Sequence, residues 1–169
     1  DYKTCDIGDL ELPMGDVEKD LDEISRVTRE ILNDNKKTMM IGGEHLVTYG
    51  TIREYVKKYP DLNIIHFDAH TDLRDEFLGR ELSHATVLKK CYEMLKSGTL
   101  YQFGIRSGDK EEFEWAKTHI HQRKFDLVGL DKCVEELKDK PVYITIDLDV
   151  LDPSIFPGTG TPEAGGGTF

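Results

Sequence analysis

The chain has 169 residues, enough for a single domain, residues 1–169, with a sizeable core. Its 33 acidic and 22 basic residues leave a formal net charge of −11, which argues against nucleic acid or an anionic membrane as a partner. No apolar run approaches the length of a membrane span. Cys5, Cys91 and Cys133 are scattered, with no C-x-x-C pair, and are expected as reduced thiols in a cytoplasmic protein. The start, Asp1-Tyr2-Lys3, is no signal peptide and lacks an initiator Met, so the sequence reads as a segment of a longer chain.

Cys5 to Met14 reads as a loop punctuated by Gly8 and Pro13. Asp16 is the expected N-cap of a helix on which Leu21, Ile24, Ile31 and Leu32 recur at helical spacing, ending near Asn33-Asp34-Asn35. Thr38 to Ile41 is expected as a buried strand, Leu46 to Tyr59 as a helix stopped by Pro60, and Asn63 to Phe67 as the central strand. Ser83 to Lys96 has the stripe of a third helix, with Gly98 just past its end. Leu100 to Ile105 reads as a strand, Asp109 as the cap of a helix reaching about Thr118, and Arg123 to Phe125 as a short strand. A helix from Leu130 to about Leu137 and a strand after Pro141 follow; beyond Asp152 the chain is rich in Gly and Pro. Strands alternating with helices imply βαβ units, a parallel sheet and right-handed crossovers.

The chemistry gathers where three expected strands end. Ile64-Ile65-His66-Phe67 runs into Asp68, His70 and Asp72, whose alternation points them the same way in an extended segment. Val142 to Ile146 runs into Asp147 and Asp149, and Thr38 to Ile41 leads through Gly42-Gly43-Glu44 to His45. In an open parallel sheet the C-terminal strand ends share one edge, where sites form. Four carboxylates and two imidazoles are too many for one Zn²⁺ and suit two divalent ions that share carboxylates.

Gly42-Gly43-Glu44-His45, Asp68-Ala69-His70-Thr71-Asp72 and Asp147-Leu148-Asp149-Val150-Leu151-Asp152-Pro153 resemble, in order and approximate spacing, the three signatures of the ureohydrolase family, the arginases, agmatinases and their relatives. The resemblance runs from Asp6 to Gly167. It implies a three-layer α/β/α fold with a mostly parallel sheet, here incomplete at both ends. It also implies a centre of two Mn²⁺ ions that hydrolyses a guanidinium group to urea and an amine.

On this resemblance His45, Asp68, Asp72 and Asp147 would hold one ion. His70, Asp68, Asp147 and Asp149 would hold the other, with Asp68 and Asp147 bridging. Guanidinium is a poor electrophile and water a weak nucleophile at neutral pH; two divalent ions lower the pKa of water and orient it. His84 corresponds to the family's catalytic His, which passes a proton to the leaving amine, and a His suits that role because it titrates near neutral pH. Thr161 and Glu163 would face the substrate, and the family's guanidinium-binding Glu is expected beyond Phe169. Asp152 is read as fixing the loop. His66 is read as a core residue of its strand, and His119 and His121 as structural. Two departures stand out: Glu44 where the family often has Asp, and Leu46 where it often has Ser.

Between Leu73 and Leu82 the Asn and Ser with which arginases hold the head of arginine are missing, and the loop with Ser83-His84 resembles bacterial agmatinases. Asp75, Glu76 and Glu81 suit an ammonium tail, whereas Arg74 and Arg80 suit a carboxylate. The expected partner is therefore a small cationic guanidino substrate, agmatine, giving putrescine and urea. The alternatives are a sister amidinohydrolase acting on guanidinobutyrate or arginine, or a metal-free, non-catalytic member. By resemblance the assembly is a homo-oligomer, a trimer or hexamer.

Overall fold

A computed structural model describes residues 3–13 and 15–168. The segment after Cys5 is irregular through Pro13, as a loop should be, and Met14 lies outside the described residues. Helix α1 (Val17–Asn33) starts at Asp16, whose side chain accepts from Lys19 N, and buries Leu21, Ile24, Ser25, Thr28 and Leu32. That face lies on helix α2 (Val47–Lys58), where Ser25 Oγ donates to Gly50 O at 2.8 Å. The two helices come this close because Gly50 has no side chain: a Cβ there would stand 3.0 Å from Ile24.

Strand β1 (Asn63–Phe67) occupies the middle of a fully parallel sheet. Helix α3 (Val87–Met94), preceded by a 3-10 turn over His84–Thr86, leads to strand β2 (Leu100–Ile105). Helix α4 (Lys110–His119), strand β3 (His121–Lys124), helix α5 (Leu130–Glu136) and strand β4 (Val142–Ile146) follow. The strand order is β3-β2-β1-β4. Alternation along β1 sends Ile64 and His66 to one face and Ile65 and Phe67 to the other. On the first face Ile64 and Leu100 pack with Leu32, Ile52, Leu88 and Ala116. On the second, Ile65, Tyr101 and Phe103 pack with Cys133 and Leu137. Helices thus cover both faces of a parallel α/β sheet.

The expected strand over Thr38 to Ile41 is not formed. The segment is irregular, with Met39 91% and Ile41 89% exposed. A strand needs a neighbour for its backbone groups and cover for its apolar side chains, and among the described residues the sheet ends at β4. The segment is held instead through Thr38 N, which donates to the Tyr55 hydroxyl at 3.0 Å. The other expected elements are present with ends shifted by a few residues, such as β3, which begins at His121 rather than Arg123.

Candidate metal centre

Three chain segments meet at the C-terminal edge of β1 and β4. His45 stands just before α2; Asp68, His70 and Asp72 follow β1; Asp147 and Asp149 follow β4. Asp72 has a φ of 53°, a left-handed conformation that a non-glycine residue takes at a cost, and such outliers cluster at functional sites. The two strand ends are tied by Ala69 N, which donates to Asp149 Oδ1 at 3.0 Å.

His45 Nδ1 faces three carboxylates: Asp72 Oδ2 at 3.0 Å, Asp68 Oδ2 at 3.3 Å and Asp147 Oδ2 at 3.7 Å. His70 Nδ1 faces Asp149 Oδ2 at 3.0 Å and Asp68 Oδ1 at 3.4 Å. Two groups of ligand-type atoms result, one of His45, His66, Asp68 and Asp72 and one of Asp68, His70 and Asp149. Asp68 belongs to both. Asp147 stands beside the first group without joining it; its Oδ1 accepts from Asp149 N at 3.0 Å and caps the turn Leu148–Val150.

The donor set fits divalent cations. Despite its short distances, buried His45 Nδ1 has no partner of hydrogen-bond geometry among the described residues. An unpartnered nitrogen and several converging carboxylates are what a cation would join. Burial disfavours protonation of His45, but Asp68 and Asp72 outweigh it and raise its pKa to about 10. Asp149 and then Asp68 raise His70 to about 10. Burial also pushes the Asp72 carboxyl up, with the charge on Asp68 adding to it. Excess negative charge in a dry site thus draws protons where cations would otherwise sit.

A cavity of about 290 Å³ opens onto this edge, lined by His45, Asp68, His70, Asp72, His84 and Thr161 among others. His84 is aimed by Glu44, whose Oε1 lies 2.9 Å from His84 N and 3.2 Å from His84 Nδ1. The same Glu44 accepts from Leu46 N, so one side chain joins the turn before α2 to the turn that carries His84. Phe77 packs edge-on against the imidazole. Thr161 Oγ1 donates to Asp149 Oδ2 at 3.3 Å, and Glu163 Oε1 lies 3.7 Å from His70 Nε2. The Gly-rich loop that brings them in is held from two sides. Asp152 accepts from the backbone of Ser154, Gly165 and Gly166, and Arg106 donates to the carbonyls of Asp149 and Glu163.

The expectation for the substrate loop needs correcting. Asp75 pairs with Lys89, and Asp75, Glu76 and Glu81 do not line the cavity; the acids that do, beyond the ligand types, are Asp109 and Glu112. Arg74, also in the wall, is bound to Asp109 at 3.0 Å and approaches Glu112 at 3.6 Å. Glu112 is buried and accepts from Thr71 Oγ1 and Leu73 N, which ties the ligand loop to α4. Sequence reasoning missed Arg106 and the Arg74–Asp109–Glu112 group, because no motif links positions that only tertiary structure brings together. A larger cavity of about 460 Å³ lies along β3, and it contains none of the candidate ligands.

A parallel α/β sheet with imidazole and carboxylate groups gathered at its C-terminal edge defines an α/β domain with a candidate site for divalent cations. A family model described as the arginase family matches residues 1–169. The chain is 50% identical to the agmatinase of Bacillus subtilis (strain 168) over 168 residues, 98% of this chain and 58% of that protein. It superposes on a crystal structure provisionally assigned as an agmatinase from Clostridium difficile with a TM-score of 0.93 at 48% identity, covering 98% of this chain and 60% of that one. It matches the agmatine ureohydrolase of Thermoplasma volcanium with a TM-score of 0.83 at 34% identity, over 95% and 55% of the two chains. The chain belongs to the arginase family. It spans less than two thirds of the length of these relatives.

Proposed function

We propose that the full-length protein is a manganese-dependent agmatinase, which hydrolyses the guanidinium group of agmatine to urea and putrescine. The observation that carries this reading is the pair of ligand groups sharing Asp68 at the mouth of a cavity. His45, Asp68 and Asp72 would hold one ion, and His70, Asp68 and Asp149 the other, with Asp147 turning in to complete the set. Two divalent ions bound there supply a water-derived nucleophile at neutral pH and offset the negative charge of the carboxylates.

The chain's own residues do the rest. His84 donates Nδ1–H to Glu44, which leaves the Nε2 lone pair to take up the proton that the attacking water gives up and pass it to the leaving nitrogen. Thr161, in the cavity wall, and Glu163, outside it beside His70, are held by the Arg106 and Asp152 loop clamps and would face the guanidinium. Asp109 and Glu112 engage Arg74, so the wall offers no free guanidinium to a substrate carboxylate and keeps a net negative charge. That supports an ammonium tail over an amino-acid or carboxylate tail, in line with the agmatinase relatives.

The test is urea release by the Mn²⁺-loaded full-length protein from agmatine, guanidinobutyrate and arginine side by side. Agmatine should be strongly preferred. A preference for either carboxylate-bearing substrate, or no urea from any of them, would overturn the assignment.

A further inference from the structure

A row of polar side chains crosses the sheet beneath the site. Parallel register sets Gln122 of β3 beside Gln102 of β2, Gln102 beside His66 of β1, and His66 beside Thr145 of β4. His66, Gln102 and Thr145 are buried. A strand covered on both faces ordinarily presents apolar side chains here, as Ile64 and Leu100 do two pairs earlier on the same face. Buried polar groups must find partners, and these find them in one direction. Gln122 Nε2 donates to Gln102 Oε1 at 2.8 Å. Gln102 Nε2 donates to Thr71 O at 2.6 Å and to His66 Nδ1 at 3.0 Å. His66 Nε2 lies 2.8 Å from Asp68 Oδ2.

The chemistry of the row leaves one arrangement. Thr71 O can only accept, so the Gln102 atom facing it is the amide nitrogen. The same nitrogen faces His66 Nδ1, which must therefore be the acceptor, and the ring proton sits on Nε2, toward Asp68.

We propose that His66, its tautomer set by Gln102, is a positioning residue that aims the Asp68 carboxylate at two ions. His70 N donates to Asp68 Oδ1 at 2.6 Å, while His66 holds Oδ2. Each oxygen is thus fixed by one N–H and keeps a lone pair for its own ligand group: Oδ2 toward His45, Oδ1 toward His70. His66 falls within the first group by distance, yet both its nitrogens are committed, so it orients a ligand instead of being one. The row ends at Thr145, whose hydroxyl meets His45 Nε2 at 2.9 Å and leaves Nδ1 for the ion. Outer partners of this kind are worth about 10–100-fold in metal affinity. The inference rests on the two-ion reading above.

Two measurements on the full-length protein test it. In the metal-free protein, ¹⁵N–¹H correlation spectra should show His66 as the Nε2–H tautomer; the Nδ1–H tautomer or an averaged signal would overturn the proposal. Mn²⁺ affinity by calorimetry should fall by about 10–100-fold in His66→Leu and recover in His66→Gln, whose amide can still donate to Asp68. Unchanged affinity in His66→Leu, or equal loss in both variants, would also overturn it. Should His66→Leu fail to fold, Gln102→Leu replaces it, with mixed His66 tautomers and weaker Mn²⁺ binding expected and wild-type values contradicting. Wild-type protein that binds no Mn²⁺ while showing the Nε2–H tautomer would sink the two-ion reading, and with it the purpose assigned to His66, while the Gln102–His66–Asp68 orientation stood. The wrong tautomer with Mn²⁺ bound would sink the orientation alone, so the two failures can be told apart.

Discussion

Asp68 presents one oxygen to each ligand group, so a single substitution reaches both. Asp68→Asn should weaken both ions together, read as metal content after dialysis; two ions retained with full activity would refute the sharing. His84→Ala should leave metal content intact and slow urea release by about 10²–10⁴-fold, the usual effect of a lost acid–base group. If His84→Ala loses metal as Asp68→Asn does, the division of roles is wrong. The candidate ligands were legible in the sequence because each follows a β-rich run at a short fixed spacing. His66 was legible only as a buried residue: its partner Gln102 lies 36 positions away, and the Thr71 carbonyl that orients Gln102 lies 31 positions from it, so no local pattern announces them. Glu44 read as a departure from a family pattern, whereas its contact with His84 spans 40 positions of sequence separation.

Among the elements, the end of β2 packs closely against the segments that carry the ligands. Gly104 has a φ of +87°, and a Cβ there would lie 2.7 Å from Val150 Cγ2 and 3.1 Å from Asp68 O. Gly104→Ala should cost about 1–3 kcal/mol of stability from backbone strain alone, with a further loss of Mn²⁺ affinity because the displaced neighbours carry the site. A chemical-denaturation midpoint equal to wild type would contradict this. Helices α1, α2, α4 and α5 and strands β1, β2 and β4 were readable from apolar spacing, caps and prolines. Thr38–Ile41 was not, because its composition is that of a strand and only its neighbourhood decides. An apolar run without a pairing partner stays irregular whatever its propensity.

At the scale of the whole molecule, stability and metal loading are linked through the same imidazoles. The metal-free His45 and His70 pKa values, about 10 each, lie above the ordinary 6.5. A raised imidazole pKa contributes stability that is fully present below pH 6.5 and is lost as pH climbs through 10. The metal-free protein should therefore melt at falling temperature from about pH 7 to pH 10. With Mn²⁺ bound those imidazoles are already deprotonated, so the loaded protein should melt higher and lose less over the same range. Parallel slopes for the two forms would show that the ions do not displace those protons.

The central claim is that two ions share Asp68 at the edge of this sheet. Anomalous diffraction at the manganese edge, from crystals of the full-length protein equilibrated with Mn²⁺, tests it most directly. The account predicts two peaks about 3.5–4 Å apart, one against His45 and Asp72, the other against His70 and Asp149, both in contact with Asp68. A single peak, or two that do not share Asp68, would contradict it.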